Sequence, residues 1–251
     1  RLVVRIGKPE DVLPDLCRDL AIDRLWFVEA PGTEERSIER ALQKRASVAI
    51  TSLPPETLFQ IDEPRAFARE LPEVFSSFRR TAERGLEITP SRPTPSALVP
   101  LVTPAAFDFG SVPEVGGLGL EDEPADSRAV LGFEGGEPAG LERMRGWMFT
   151  GDHLKDYKVT RNGMLGGDYS SKFSPWIALG ALSPRLIAEE TLRYEHERVA
   201  NDSTYWLRFE LFWREYFRLY LLKHGRTLFH AAGPSAMPIT WSGDEHRFDA
   251  W

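Results

Sequence analysis

Residues 204–224 read TYWLRFELFWREYFRLYLLKH, a run without proline or glycine in which apolar groups fall at nearly every angle around a helix. A helix of that kind is built to be covered by other helices. Glu210 and Arg214 stand in it four apart, on one face, and Trp213 lies three on from Glu210 on the same side. An exposed Glu–Arg pair contributes only about 0.2–0.5 kcal/mol, and burying one without further partners costs several kcal/mol per ion. Either the two side chains pair internally, or a polar ligand supplies the missing hydrogen bonds.

Outward from this helix the pattern stays helical. Gly225 stops it, and Asp202 and Ser203 are candidate caps for its start. Ser183-Pro184 opens a preceding helix over residues 185–200, with proline suited to the first helical position. Helical texture begins at Leu141, which defines an all-α part, incomplete, over residues 141–251. Residues 88–140 are different: Pro90, Pro93, Pro95, Pro100, Pro104, Pro113, Pro124 and Pro138 recur among Ser, Thr and Gly, the composition of a long linker. Residues 1–87 read as an α/β part with an incomplete parallel sheet. Strands are expected at Leu2–Ile6, Leu25–Val28 and Ala46–Thr51, and helices at Pro9–Leu20 and Thr33–Arg45. Residues 66–85 are expected to be helical, interrupted at Leu71-Pro72. No Gly-x-Gly-x-x-Gly opens any of these helices.

The net charge of −7 argues against a general nucleic-acid binder, but the acidic excess lies wholly within residues 1–150. Residues 157–226 carry 11 Lys/Arg against 8 Asp/Glu, and six of the seven tryptophans lie at or beyond Trp147. A site for an anionic, planar partner belongs in this half. Cys17 is the only cysteine, so no intrachain disulfide and no cysteine-based zinc site is expected. His196, His224 and His230 lack metal-ligand spacing, and no metal is expected. No apolar run reaches the ~20 residues of a membrane span and no secretory signal is visible; the expected location is cytoplasmic, or an organelle in a eukaryote, and separately a monomer is expected. The chain starts at Arg1 inside a strand-like run and ends at Trp251 without a stop, so both ends read as cuts through a longer protein.

A second segment could carry chemistry. Tyr157-Lys158-Val159-Thr160-Arg161-Asn162-Gly163-Met164 is followed by Asp168-Tyr169-Ser170-Ser171-Lys172-Phe173-Ser174-Pro175-Trp176. Hydroxyls, amides and a cation after glycines can hold a phosphate. The Walker order is missing, and on spacing alone a serine-rich turn leading into a helix is the better reading.

Together these segments resemble the flavin-binding domain of the photolyase and cryptochrome superfamily. The runs 160–164, 168–176, Gly180-Ala181-Leu182-Ser183-Pro184-Arg185, 201–207 and 209–217 are similar to the DASH cryptochromes in particular. The resemblance implies FAD as cofactor, with Tyr157 flanking the flavin and Ser170, Ser171, Lys172, Phe173 and Ser174 holding its pyrophosphate and ribityl portion. It places Arg214 near the cofactor–substrate cavity and Arg161 on the DNA-facing side. Glu210 and Trp213 become the catalytic pair, the carboxyl group bonding the base edge of a flipped-out cyclobutane pyrimidine dimer and the indole packing on it.

The reaction so implied is light-driven electron transfer from reduced flavin to the dimer, ring opening and return of the electron. DNA containing pyrimidine dimers, single-stranded by preference, is the implied partner, since flipping costs less where no pairing is broken. A methenyltetrahydrofolate antenna is common in the group, and no residue is assigned to it. Two other readings stay open: a blue-light flavin photoreceptor without repair activity, and a cofactor-free nucleic-acid-binding protein. With helices expected beyond Trp251, the 251-residue chain alone is expected to bind FAD poorly and not to repair DNA.

Overall fold

The computed structural model describes residues 2–98, 100, 103–104, 106–121, 124 and 126–251. Its N-terminal part is a strand–helix–strand unit. β1 (Arg24–Val28) and β2 (Ala49–Leu53) pair in parallel, in register from Arg24↔Ala49 to Val28↔Leu53. Parallel neighbours need a crossover, which α2 (Thr33–Arg45) provides, with α1 (Pro9–Asp19) packed against it. Cys17 and Leu42 are the buried residues of these two helices, and burial pushes the Cys17 thiol up.

Two strand expectations need correction. Leu2–Ile6 forms no strand. Val4 donates its amide to the Phe109 carbonyl (2.8 Å) and Arg5 reaches the Asp108 carbonyl (2.7 Å), so the segment runs beside residues 108–109 and joins no sheet. The strand expected at Ala46–Thr51 sits at Ala49–Leu53, because the Ala46 amide is still used by α2, bonding the Leu42 carbonyl at 2.9 Å.

Leu71-Pro72 does interrupt the next helical stretch, into α3 (Pro64–Arg69) and α4 (Phe75–Gly85). Both pack on α9 (Asp202–His224). Phe59 meets Phe212 at 5.0 Å between ring centroids, and Phe75 stacks on Trp213 at 3.5 Å and 12°. Leu58, Phe59, Phe75, Phe78, Leu207, Leu211, Phe212 and Tyr216 belong to one buried cluster. Aromatic pairs of this kind contribute ~0.5–1.5 kcal/mol each beyond the area they bury.

Between 88 and 136 the described residues contain no helix beyond the short 3₁₀ turn Gly116–Leu118. α5 (Glu137–Arg145) follows and continues into a π turn, Gly146–Thr150. Gly140 faces the Trp176 ring, where an added Cβ would approach to 3.0 Å, so α5 can lie against α7 (Ser174–Ala178) only without a side chain there. α6 (Tyr157–Thr160) and α8 (Pro184–Glu197) complete the wall around α9. The architecture is thus an α/β region followed by a helical one.

The start of α9 also differs from expectation. Asn201 is the cap: its side chain accepts from the Ser203 and Thr204 amides (2.8 and 3.1 Å), and Thr204 Oγ1 accepts from the Asn201 amide (3.0 Å). This is a reciprocal box of the kind that satisfies two orphan amides. Asp202 and Ser203 lie inside the first turn, and Ser203 Oγ accepts instead from the Lys158 amide (3.1 Å). Gly225, at φ +53°, ends the helix. α9 is not covered all round, since Phe217 is 59% exposed.

Asp152 ties the turn before α6 to α8. Its carboxylate accepts from Lys155 Nζ (2.6 Å), the Tyr194 hydroxyl (2.6 Å) and Arg198 Nη1 (2.7 Å). Led by the Lys155 bond, these hold its carboxyl far below the usual carboxylate range. The folded state therefore binds fewer protons than the unfolded one, and the stabilisation is present above the unfolded value of about 3.9 and lost as pH falls through the folded one. Asp152→Asn keeps a residue that tolerates the left-handed φ of +56°. The variant should be less stable than the parent at pH 7, and the gap should close as pH drops below about 4, as read by urea midpoints across that range. A gap independent of pH would remove the ionic role.

Candidate functional site

One cavity of about 390 Å³ lies between α9, α6 and the loop that enters α7. That volume is within the ~300–1,000 Å³ typical of ligand sites. α9 contributes Leu207, Glu210, Leu211 and Arg214. The loop contributes Ser171, Phe173 and Ser174, α6 contributes Tyr157, and Ile177 and Ala178 come from α7. Six residues singled out by sequence therefore meet at one place: Tyr157, Ser171, Phe173, Ser174, Glu210 and Arg214.

Glu210 and Arg214 share this face but do not pair with each other. Glu210 Oε1 is taken by the Arg161 guanidinium, from the end of α6, and by Trp206 Nε1 at 3.1 Å. Among the described residues no acceptor takes a hydrogen bond from the half-buried Arg214 guanidinium. Burial pushes its pKa down, Arg218 adds to this, and Glu215 opposes it. An unpaired, partly desolvated cation beside serine hydroxyls favours an anionic or strongly accepting ligand. Burial, then the nearby Glu210 charge, raises the Tyr157 phenol, with Arg161 and Ser170 opposing. Tyr157 is therefore a neutral hydroxyl at physiological pH.

The remaining predicted residues lie outside the cavity lining. Lys172 adopts a left-handed φ of +58°, and its ammonium bonds the Tyr169 hydroxyl and sits 3.9 Å above that ring. A non-glycine residue held there costs of order 1–3 kcal/mol. Ser170 accepts at its carbonyl from Arg143 of α5. Trp213 does not line the cavity that holds Glu210. It is stacked on Phe75, with Phe217 offset at 5.4 Å and 25°.

Sequence reading missed what fixes the loop. Arg143, on α5, donates to the carbonyls of Ser171 (3.0 Å), Gly167 (2.8 Å) and Ser170 (3.2 Å) and to Asp168 Oδ1 (2.8 Å). Trp147, one turn later, donates Nε1 to the Asp168 carbonyl at 2.9 Å. Their four-residue spacing puts both on one helix face, but nothing in the sequence says which loop that face meets. Glu215 was missed as well. It is 1% exposed, with neither oxygen hydrogen-bonded among the described residues. Burial pushes its carboxyl up, against the Leu58 backbone and the charges of Arg218, Arg214 and Arg185.

Taken together, the lining suits a flavin nucleotide. Phe173, Ile177, Leu207 and Leu211 offer apolar surface to a ring system, and Ser171, Ser174, Tyr157 and Arg214 offer donors to phosphate or to carbonyl edges.

Residues 1–97 match the family model described as DNA photolyase. The whole chain is 45% identical to cryptochrome DASH of Gloeobacter violaceus, of which it covers 50%. It is 42% identical to the chloroplastic/mitochondrial cryptochrome DASH of Arabidopsis thaliana, of which it covers 44%. The chain thus spans about half the length of the curated relatives it matches. The crystal structure of the Synechocystis sp. PCC6803 cryptochrome superposes on the whole chain with a TM-score of 0.89 at 39% identity, the chain covering 52% of it. A bacterial class III photolyase from Agrobacterium tumefaciens, at 21% identity and a TM-score of 0.78, has the same fold. Sequence and fold thus agree along the chain: it is similar throughout to DASH cryptochromes, and its first 97 residues match the DNA photolyase model.

Proposed function

We propose that the whole protein binds FAD in the cavity between α9 and the 170–174 loop and uses light to repair cyclobutane pyrimidine dimers in single-stranded DNA. What carries this reading is the cavity's polar set: an unpaired Arg214 and an Arg161-held Glu210 facing Ser171, Ser174 and Tyr157. When bound, reduced flavin supplies the light-excited electron that opens the cyclobutane ring. The chain's own residues bind and orient. Ser171 and Ser174 donate to the cofactor's accepting groups, and Arg214 offsets its negative charge. Glu210 accepts from the base edge of a flipped nucleotide, and the apolar lining keeps water out.

One observation favours the second reading, a blue-light photoreceptor without repair. Trp213, the stacking platform for a flipped dimer, is held against Phe75 and outside the cavity. Light-dependent loss of dimers from a single-stranded oligonucleotide separates the two readings.

Flavin binding is tested by Ser171→Ala and Lys172→Ala. Ser171→Ala should weaken FAD by about 0.5–1.5 kcal/mol, one neutral hydrogen bond. Lys172→Ala should cost about 1.5–3 kcal/mol if its ammonium leaves Tyr169 for a phosphate. Flavin content undiminished in the double variant would remove the loop from the cofactor site.

A further inference from the structure

Trp206 sits beside the candidate site and has no role in the family reading above. Its indole Nε1 donates to Glu210 Oε1 at 3.1 Å, one helical turn along α9. The same oxygen takes the Arg161 guanidinium. Both donors thus converge on Oε1, and Oε2 has no donor among the described residues. The indole is fixed from several directions. Phe209 lies against it at 4.7 Å between centroids, while Lys158 Nζ and Arg161 Cζ stand 4.9 and 5.5 Å from its ring centroid. Lys158 is itself tied to Asp202 at 2.7 Å, so the cation over the ring is anchored to the first turn of α9. Cation–π contacts of this kind strengthen as water is excluded.

A glutamate side chain alone has three rotatable torsions and two equivalent oxygens. Two donors on one oxygen select a single arrangement, which leaves the other oxygen's lone pairs for a ligand in the cavity. We propose that Trp206 is a positioning residue for Glu210: with Arg161 it pins Oε1, so that Oε2 is presented to the base edge as a pre-oriented acceptor. This rests on the reading of Glu210 as the group that meets a damaged base. Trp206 itself does not touch the nucleic acid. It acts through the carboxylate, and its removal is felt only where Glu210 is used.

The test is a double-mutant cycle in the flavin-loaded whole protein with Trp206→Phe, Glu210→Gln and the pair. Phenylalanine keeps a ring for Phe209 and the cations and removes the donor. The readout is affinity for a single-stranded oligonucleotide carrying one thymine dimer against the same strand undamaged. Trp206→Phe should lower the preference for the dimer about tenfold, the effect of one bond to a charged group, with undamaged-strand affinity and flavin content unchanged. The pair should be no worse than Glu210→Gln alone. Additive losses would mean that Trp206 contacts the strand directly, and an unchanged preference in Trp206→Phe would mean that the donor is irrelevant; either overturns the proposal. If Trp206→Phe does not fold, the indole N–H resonance of Trp206 takes its place. It should move in Glu210→Gln, and a resonance that stays put overturns the proposal. Failure of the underlying reading looks different: the parent protein shows no preference for the dimer, and Glu210→Gln changes nothing.

Discussion

Arg143→Met should release the flavin and loosen the fold together. The guanidinium is 12% exposed and makes four bonds to one short segment, three to main-chain carbonyls and one to Asp168. Bonds from a charged donor contribute about 1.5–3 kcal/mol each. They are not additive within one network, and Asp168 is more than half exposed, which discounts its share. A net loss of about 2–4 kcal/mol in fold stability is expected. The larger consequence is local. Without Arg143, the carbonyls of Gly167, Ser170 and Ser171 lose the group that fixes their direction, and Ser171 and Ser174 lose their aim at the cavity. Flavin affinity should fall by about two orders of magnitude, equivalent to about 2.7 kcal/mol. Arg143→Lys should lie between, because a single ammonium cannot reproduce a planar fork that reaches four acceptors. Denaturant midpoints and flavin-to-protein ratios across the three proteins check this. Unchanged values in Arg143→Met would show that the loop holds itself.

How much was legible in the sequence follows from the range of the interactions involved. α2 matches its expected span of Thr33–Arg45, and α1 and β1 differ from theirs by one residue, because periodicity, proline placement and capping are local signals. Leu2–Ile6 failed because a strand needs a neighbouring strand, and among the described residues this segment bonds to residues 108–109, which are not one. The face shared by Glu210 and Arg214 was legible, since four residues nearly complete a turn. Trp213 was not. Three residues from Glu210 leave it about 60° round the helix, and Phe75, more than a hundred residues away, stacks on it at the edge of the core, where it stays partly buried. The partner of Glu210 was misjudged for the same reason, because Arg161 comes from a different element. The clamp of Arg143 on the loop depends wholly on how α5 packs, which no spacing records.

The central claim, that the cavity between α9 and the 170–174 loop holds the flavin, is tested most directly by filling it. Ala178 lines the cavity from α7, is exposed, and is not among the residues of the buried core. Ala178→Trp would place an indole in a space of about 390 Å³ while leaving Arg143, Glu210 and the serines unsubstituted. A bulky group that overfills a well-packed site costs about 1–3 kcal/mol when it must be accommodated, and here the ligand rather than the fold gives way. The measurement is the flavin-to-protein ratio of the whole protein after loading with FAD and gel filtration, alongside the thermal midpoint of the flavin-free form. The expected result is a flavin-loaded parent and a variant retaining less than about a tenth of its flavin, with the two flavin-free midpoints alike. A variant that stays as yellow as the parent would place the flavin elsewhere and contradict the account.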